Sequence, residues 1–168
     1  GAFTAVSVSP NSAKGRGPAS VNLTETLTFT TANIIPASGG SIAITIDSNW
    51  GTTLAAATVS SGLTAQTGTT LSATISSNVL TISSFTEVAA STAITVIFTG
   101  LLPPTFTSTT SSSQTFIQSI ASSVTIASTS YSIDSYSTVS ITMSAANSTG
   151  RSTFTTKTTY PTTASATD

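Results

Sequence analysis

Two tripeptides carry the most direct chemical signal in this sequence. Asn22-Leu23-Thr24 and Asn147-Ser148-Thr149 both fit the Asn-X-Ser/Thr acceptor of N-linked sugars. More than two residues in five are Ser or Thr, so such tripeptides also arise by chance, and their place in the fold has to give them weight. The aromatic residues offer a second chemistry. Trp50 is the sole Trp and sits between Asn49 and Gly51. An exposed indole would stack on a sugar ring, although a lone Trp more commonly plugs the end of a β-sandwich. Tyr131 and Tyr136 flank Asp134, a combination that suits either a polar-aromatic sugar site or a core edge covered with its hydroxyls outward.

The remaining inventory excludes more than it supports. The carboxylates are Glu25, Asp47, Glu87, Asp134 and Asp168, and no spacing among them sets two across a cleft as glycoside hydrolysis requires. No Asp-X-Asp run exists to gather oxygens around calcium. Glu25 falls in the inward phase of a strand. A strand irregularity, or pairing with Lys14 or Arg16, is the ordinary explanation, and a buried acid with a raised pKa is the alternative. The chain has neither His nor Cys, which removes His-based triads, thiol nucleophiles and ordinary zinc sites. Lys14 and Lys157 lie in expected loops or termini, so no Ser–Lys pair is in prospect either. The expectation is a protein that is not an enzyme and that takes no metal or cofactor. Lys14, Arg16, Arg151 and Lys157 are too few and too spread to make a stripe for nucleic acid. Gly15-Arg16-Gly17 lacks the spacing and following helix of a phosphate loop and reads as a flexible loop.

Charged residues make up 5% of the chain and the formal net charge is −1, while 38% of residues are hydrophobic. That balance favours a folded core over disorder, and it leaves hydroxyls and attached sugar to keep the surface wet. No apolar run approaches the length of a membrane-spanning helix, so no membrane insertion is expected. The start at Gly1 suggests a processed product, and with the two acceptor sites this points to the outside of the cell or its surface.

What must position these residues is a set of strands, because the hydrophobic period is two almost throughout. Over residues 21–31, Val21, Leu23, Leu27 and Phe29 take one phase, and Asn22 with Thr24, Thr26, Thr28 and Thr30 the other. Ile42, Ile44 and Ile46 repeat the pattern in 41–47. Further strands are expected at 70–76, 79–83, 92–99, 115–120, 123–127 and 137–144. Phe3 to Ser9 forms a short strand with Val6 and Val8 in phase. Thr, Val and Ile suit a pleated, half-buried surface, and Gly, Pro and Asn clusters mark the turns between. The expected core includes Leu27, Phe29, Ile44, Ile46, Ile75, Ile82, Val96, Phe98 and Ile141. This is an all-β sandwich of about 7–10 strands.

The run Ala5-Val-Ser-Val-Ser-Pro, then Leu27-Thr-Phe-Thr-Thr, then Ile35-Pro-Ala-Ser-Gly-Gly-Ser-Ile-Ala-Ile-Thr-Ile resembles immunoglobulin-like antiparallel β-sandwich modules of large secreted and surface proteins. Asp134 followed by Ser-Tyr-Ser-Thr-Val-Ser-Ile resembles the closing strand of such modules. The resemblance covers residues 5–143 and extends to subunits of glycan-coated extracellular filaments. It implies a structural or adhesive module outside the cell.

The expected organisation is therefore an N-terminal strand over 1–10, a hinge over 11–20, the sandwich over 21–144 and a Ser/Thr-rich tail over 145–168. Either terminus is a candidate donor strand for a neighbouring copy, making the chain its own partner in a head-to-tail polymer. N-glycans on Asn22 and Asn147, and O-glycans on outward Ser and Thr, complete the expectation. The second reading is a carbohydrate-binding or adhesin module that uses Trp50 or Tyr131 and Tyr136.

Overall fold

The structure, a computed structural model, describes residues 1–17 and 22–146. These form eleven strands and no helix: β1 (Thr4–Ser9), β2 (Ser12–Lys14), β3 (Leu23–Thr30), β4 (Gly40–Ile46), β5 (Ala56–Ser61), β6 (Ser72–Ser76), β7 (Val79–Ser83), β8 (Ala93–Leu101), β9 (Ser112–Ile126), β10 (Thr129–Tyr136) and β11 (Val139–Ser144). One sheet has the order β1-β3-β8-β5, and the other β2-β11-β9-β4-β7-β6 with β10 added to β9. Every ladder is antiparallel except that of β2 with β11. The all-β sandwich expected from the period of two is the observed fold.

The inward phases read from the sequence are the buried ones. Leu27 and Phe29 on β3, Ile42, Ile44 and Ile46 on β4, Leu80 and Ile82 on β7, and Ile94, Val96 and Phe98 on β8 are fully buried, and Ile141 and Met143 of β11 join the same core. Ile75 is the exception among the expected core residues and is only half-buried. It lies on β6, the end strand of the longer sheet, which has β7 as its one ladder partner. Val21 lies outside the described residues.

Four features differ from the sequence reading. The segments 115–120 and 123–127 are one continuous strand, β9, because β4 pairs along it from Val124 down to Ile117. The apparent break comes from Ser122, a polar residue in the inward phase. It is fully buried, and its hydroxyl accepts the backbone N–H of Asp134 at 3.0 Å. That bond also supports the register shift of β10 between Ser132 and Ser135, an irregularity that hides β10 from a periodicity argument. β5 escaped for another reason, since Ala57 and Val59 are its only apolar residues facing the core. Finally, the described part of the expected hinge is docked. β2 pairs with β11, the Gly15 N–H donates to Ser144 O at 2.9 Å, and Arg16 donates to Pro104 O through its backbone at 2.8 Å and to Pro103 O through Nε at 2.9 Å. A Cβ on Gly15 would lie 2.6 Å from Phe106 Cβ, so the close approach itself calls for glycine.

The β9–β10 hairpin turns through Ala127 and Ser128, with φ of 48° and 65°. A two-residue turn with both central φ positive suits Asn-Gly, whereas other residues are strained there by about 1–2 kcal/mol each. Replacing Ala127→Asn and Ser128→Gly together is expected to stabilise the domain by about 1 kcal/mol and to raise its melting temperature by about 3 °C. A thermal melt that does not move, or that falls, would count against strain in this turn.

Candidate functional site

Asn22 is exposed and immediately precedes β3, whose first residue Leu23 pairs with Leu101 of β8. Its sequon partner Thr24 is exposed as well. Asn22 forms one wall of a groove of about 120 Å³ that is otherwise lined by Gly51, Thr53, Leu54, Gly100 and Leu102. The segments that carry the other lining residues are fixed by hydrogen bonds to the backbone. Gly51 and Leu102 exchange N–H···O bonds at 2.8 and 3.0 Å, the Ala55 N–H donates to Thr52 O at 2.9 Å, and Thr52 Oγ1 donates to Ser77 O at 2.7 Å. Gly100 has φ +71°, and a Cβ there would come within 2.4 Å of Leu54 O, so the floor of the groove requires glycine. Leu54 projects from this turn with 77% of its surface exposed. Asn147, the other sequon, lies outside the described residues.

The aromatic candidates separate. Trp50 is 2% exposed, its Nε1 donates to Thr115 O at 3.1 Å, and its ring meets Phe116 edge-on at 4.9 Å. Sugar stacking by Trp50 is thereby corrected, because the indole has no free face and plugs the core instead. Tyr131 and Tyr136 are on β10, opposite Val124 and Ile120 of β9, and both are exposed. Asp134 between them does not share their surface. It is fully buried and accepts N–H bonds from Ala32 at 2.8 Å, from Asn33 at 3.0 Å and from Asn33 Nδ2 at 2.7 Å, with the Gly1 ammonium 3.6 Å away. Burial alone would raise its pKa, but these hydrogen bonds and the ammonium together hold it below the usual carboxylate value. Asp134 is thus a clamp joining the start of the chain and the loop after β3 to β10. It leaves the two Tyr without a neighbouring acid.

Glu25 is the other buried acid, and its situation is the reverse. It is 1% exposed, and neither carboxylate oxygen has a hydrogen-bond partner. Burial raises its pKa from 4.5 to about 7. The pairing with Lys14 or Arg16 that sequence reasoning favoured is absent. Lys14 is exposed on β2, and the Arg16 Nε is engaged by Pro103 O. The expected strand irregularity does occur, as a register shift between Leu23 and Glu25. Asp47 serves a turn, accepting the Asn49 N–H at 2.9 Å. Among the described residues no three His, Cys, Asp or Glu side chains come together, and Arg16 is held within the fold rather than presented to a phosphate. The sequon groove was not visible in the sequence, since Asn22, Leu54 and Leu102 are brought together by the pairing of β8 with both β3 and β5 and by the Gly51–Leu102 bridge.

No family model matches this chain, and no curated protein does. Among solved structures, the chain is similar to a GH20 exo-β-N-acetylglucosaminidase from Vibrio harveyi determined in complex with N-acetylglucosamine, at 9% identity and a TM-score of 0.39. The match covers 83% of this chain and 17% of that one, so the chain spans about a sixth of its length.

Proposed function

We propose that this chain is a secreted, glycosylated structural protein with an immunoglobulin-like topology, whose copies assemble into an extracellular filament or surface coat by exchanging a strand. The observation that carries the reading is the character of the open sheet edges. β1 and β5 end one sheet and β2 and β6 end the other; β1, β5 and β6 contain no Lys, Arg, Asp, Glu or Pro, and β2 carries the single charge of Lys14. Soluble monomers usually blunt such edges with charge or proline. Edges left plain are suited to accept a strand from a neighbour.

The topology supports the immunoglobulin-like part. With β1, β3, β4, β5, β8, β9 and β11 taken as strands A to G, one sheet runs A-B-E-D and the other contains G-F-C. That is the constant-type arrangement, here enlarged by β2, the β6–β7 hairpin and β10. β1 is an edge strand held only by β3 within its sheet, and its ladder shifts between Thr4 and Ser7. A strand with one partner is the kind that can leave its own sheet for an equivalent place in another copy. The expected C-terminal donor, residues 145–168, lies almost wholly outside the described residues.

Negative-stain microscopy of native material tests the assembly directly. Deleting residues 1–10 is expected to abolish filaments. A synthetic peptide of residues 1–10, added to the intact protein, is expected to stop growth, and this second measurement does not depend on the deleted chain folding. Filaments that persist without residues 1–10, and equally without 145–168, would rule out strand exchange. A second reading, a glycan-binding adhesin module, draws on the exposure of Tyr131 and Tyr136. It requires a monomer that binds a glycan array, and that binding should fall on Tyr131→Ala.

A further inference from the structure

The groove beside Asn22 is lined by no residue of β1, β5 or β6, and its composition fits a ligand that the chain itself would carry. We infer that this groove is the seat of the first sugar of an N-glycan on Asn22, with the apolar face of the pyranose resting on Leu54. The inference rests on the glycoprotein reading above and adds to it a defined contact surface.

Three observations converge on this occupant. First, the acceptor side chain is itself part of the groove wall, so a sugar bonded to Asn22 Nδ2 begins within reach of Leu54 and Leu102 and pays little entropy to settle there. Second, Leu54 is, among the described residues, the most exposed of the large apolar side chains, at 77%, on a skin otherwise dominated by hydroxyls. A pyranose has one C–H-rich face that can cover such a side chain. Third, the lining residues Asn22, Gly51, Thr53, Leu54, Gly100 and Leu102 carry no charge. That suits a neutral sugar and gives nothing to a cation or a basic peptide, while the Arg16 guanidinium beside Gly51, its Nη2 3.3 Å from where a Cβ on that glycine would lie, offers a donor to a sugar hydroxyl. Two of the lining residues, Gly51 and Leu102, are held to each other by their backbone pair, so this part of the surface is formed before the sugar arrives. Attachment is an ordinary glycosyl transfer from a lipid-pyrophosphate donor supplied by the host. The Nδ2–C1 bond forms, the C1–O bond to pyrophosphate breaks, the pyrophosphate leaves with the bonding pair, and one Nδ2 proton passes to the transferase base.

The test expresses the full chain in a eukaryotic secretory host, with Asn147→Gln so that one sequon remains. An endoglycosidase then trims the glycan to a single N-acetylglucosamine. This species is compared with Asn22→Gln, and both are made again with Leu54→Ser, a change at an exposed position that leaves the core untouched. The single sugar is expected to raise the melting temperature by about 3 °C with Leu54 present and by much less in Leu54→Ser. Nuclear Overhauser contacts should join the sugar ring protons to the Leu54 methyls. Occupied Asn22 with an equal gain in both backgrounds and no such contacts would overturn the seat while leaving the glycoprotein reading intact. An intact mass showing Asn22 unmodified would overturn the seat and the N-glycan at Asn22, and the glycoprotein reading would then stand or fall on Asn147 and the Ser/Thr sites of the unaltered chain.

Discussion

Stability is expected to fall as pH rises from about 4.5 to about 7, and Glu25→Gln is expected to remove most of that fall. Glu25 is buried with no partner for either oxygen, so the native state holds its proton to about pH 7 while the unfolded chain releases it near 4.5. Between these values the native state binds more protons than the unfolded one, which makes the slope of stability against pH negative. A shift of this size corresponds to about 3 kcal/mol, fully present below 4.5 and lost once pH exceeds the folded value. Asp134 acts on the other side. Its folded pKa lies below 3.8, so its contribution is present above that value and lost as pH falls through the folded one. Maximum stability should therefore lie at about pH 4 to 4.5. Urea unfolding across pH 3 to 8 checks this for the wild type and for Glu25→Gln. A wild-type profile that is flat from 4.5 to 8, or an equal decline in the variant, would show that Glu25 does not bind its proton in the native state.

Truncating Phe29 or Phe98 to Ala is expected to cost about 3–5 kcal/mol each, since both are fully buried between the sheets and would leave cavities that the stiff strands cannot close. The two positions should differ in where the damage spreads. Phe98 meets Phe116 edge-on at 5.9 Å, and Phe116 in turn meets Trp50, so Phe98→Ala should loosen the Trp50 end and shift its fluorescence. Phe29 meets Phe3 at 5.0 Å with the rings at 78°. Phe3 sits just before β1, and its N–H donates to Ser135 O at 3.2 Å. Phe29→Ala should therefore also speed hydrogen exchange at Phe3 and favour release of the N-terminal strand. Chemical denaturation gives the first quantity and amide exchange the second. A loss under about 1 kcal/mol at either site would mean that the cavity closes by repacking.

Much of the fold was legible because β-branched residues alternate with hydroxyl residues over long stretches. A period of two dictates which side chains share a face whatever the strands pair with, and so the inward sets of β3, β4, β7, β8 and β11 could be named from local pattern alone. The sequence also settled what the chain lacks: His, Cys and any concentration of charge. Tertiary structure decided everything that depends on which strands become neighbours. Ser122 interrupts an apolar run in the sequence but continues β9, because the N–H that needs its hydroxyl belongs to Asp134 on the next strand. Ile75 follows the inward pattern yet stays half-buried, since its strand ends the longer sheet with β7 as its one ladder partner. Two acids in similar strand contexts acquired opposite pKa shifts. Asp134 meets the backbone of Ala32 and Asn33, about a hundred residues away, while neither carboxylate oxygen of Glu25 finds a hydrogen-bond partner. Trp50 could have faced solvent or core, and the carbonyl of Thr115 that receives its N–H placed it in the core. The groove at Asn22 has the same origin, because Leu54, Gly100 and Asn22 are distant in the chain and adjacent only across the β3–β8–β5 ladder. Periodicity is a property of neighbours along the chain, whereas partners, burial and pKa are properties of neighbours in space.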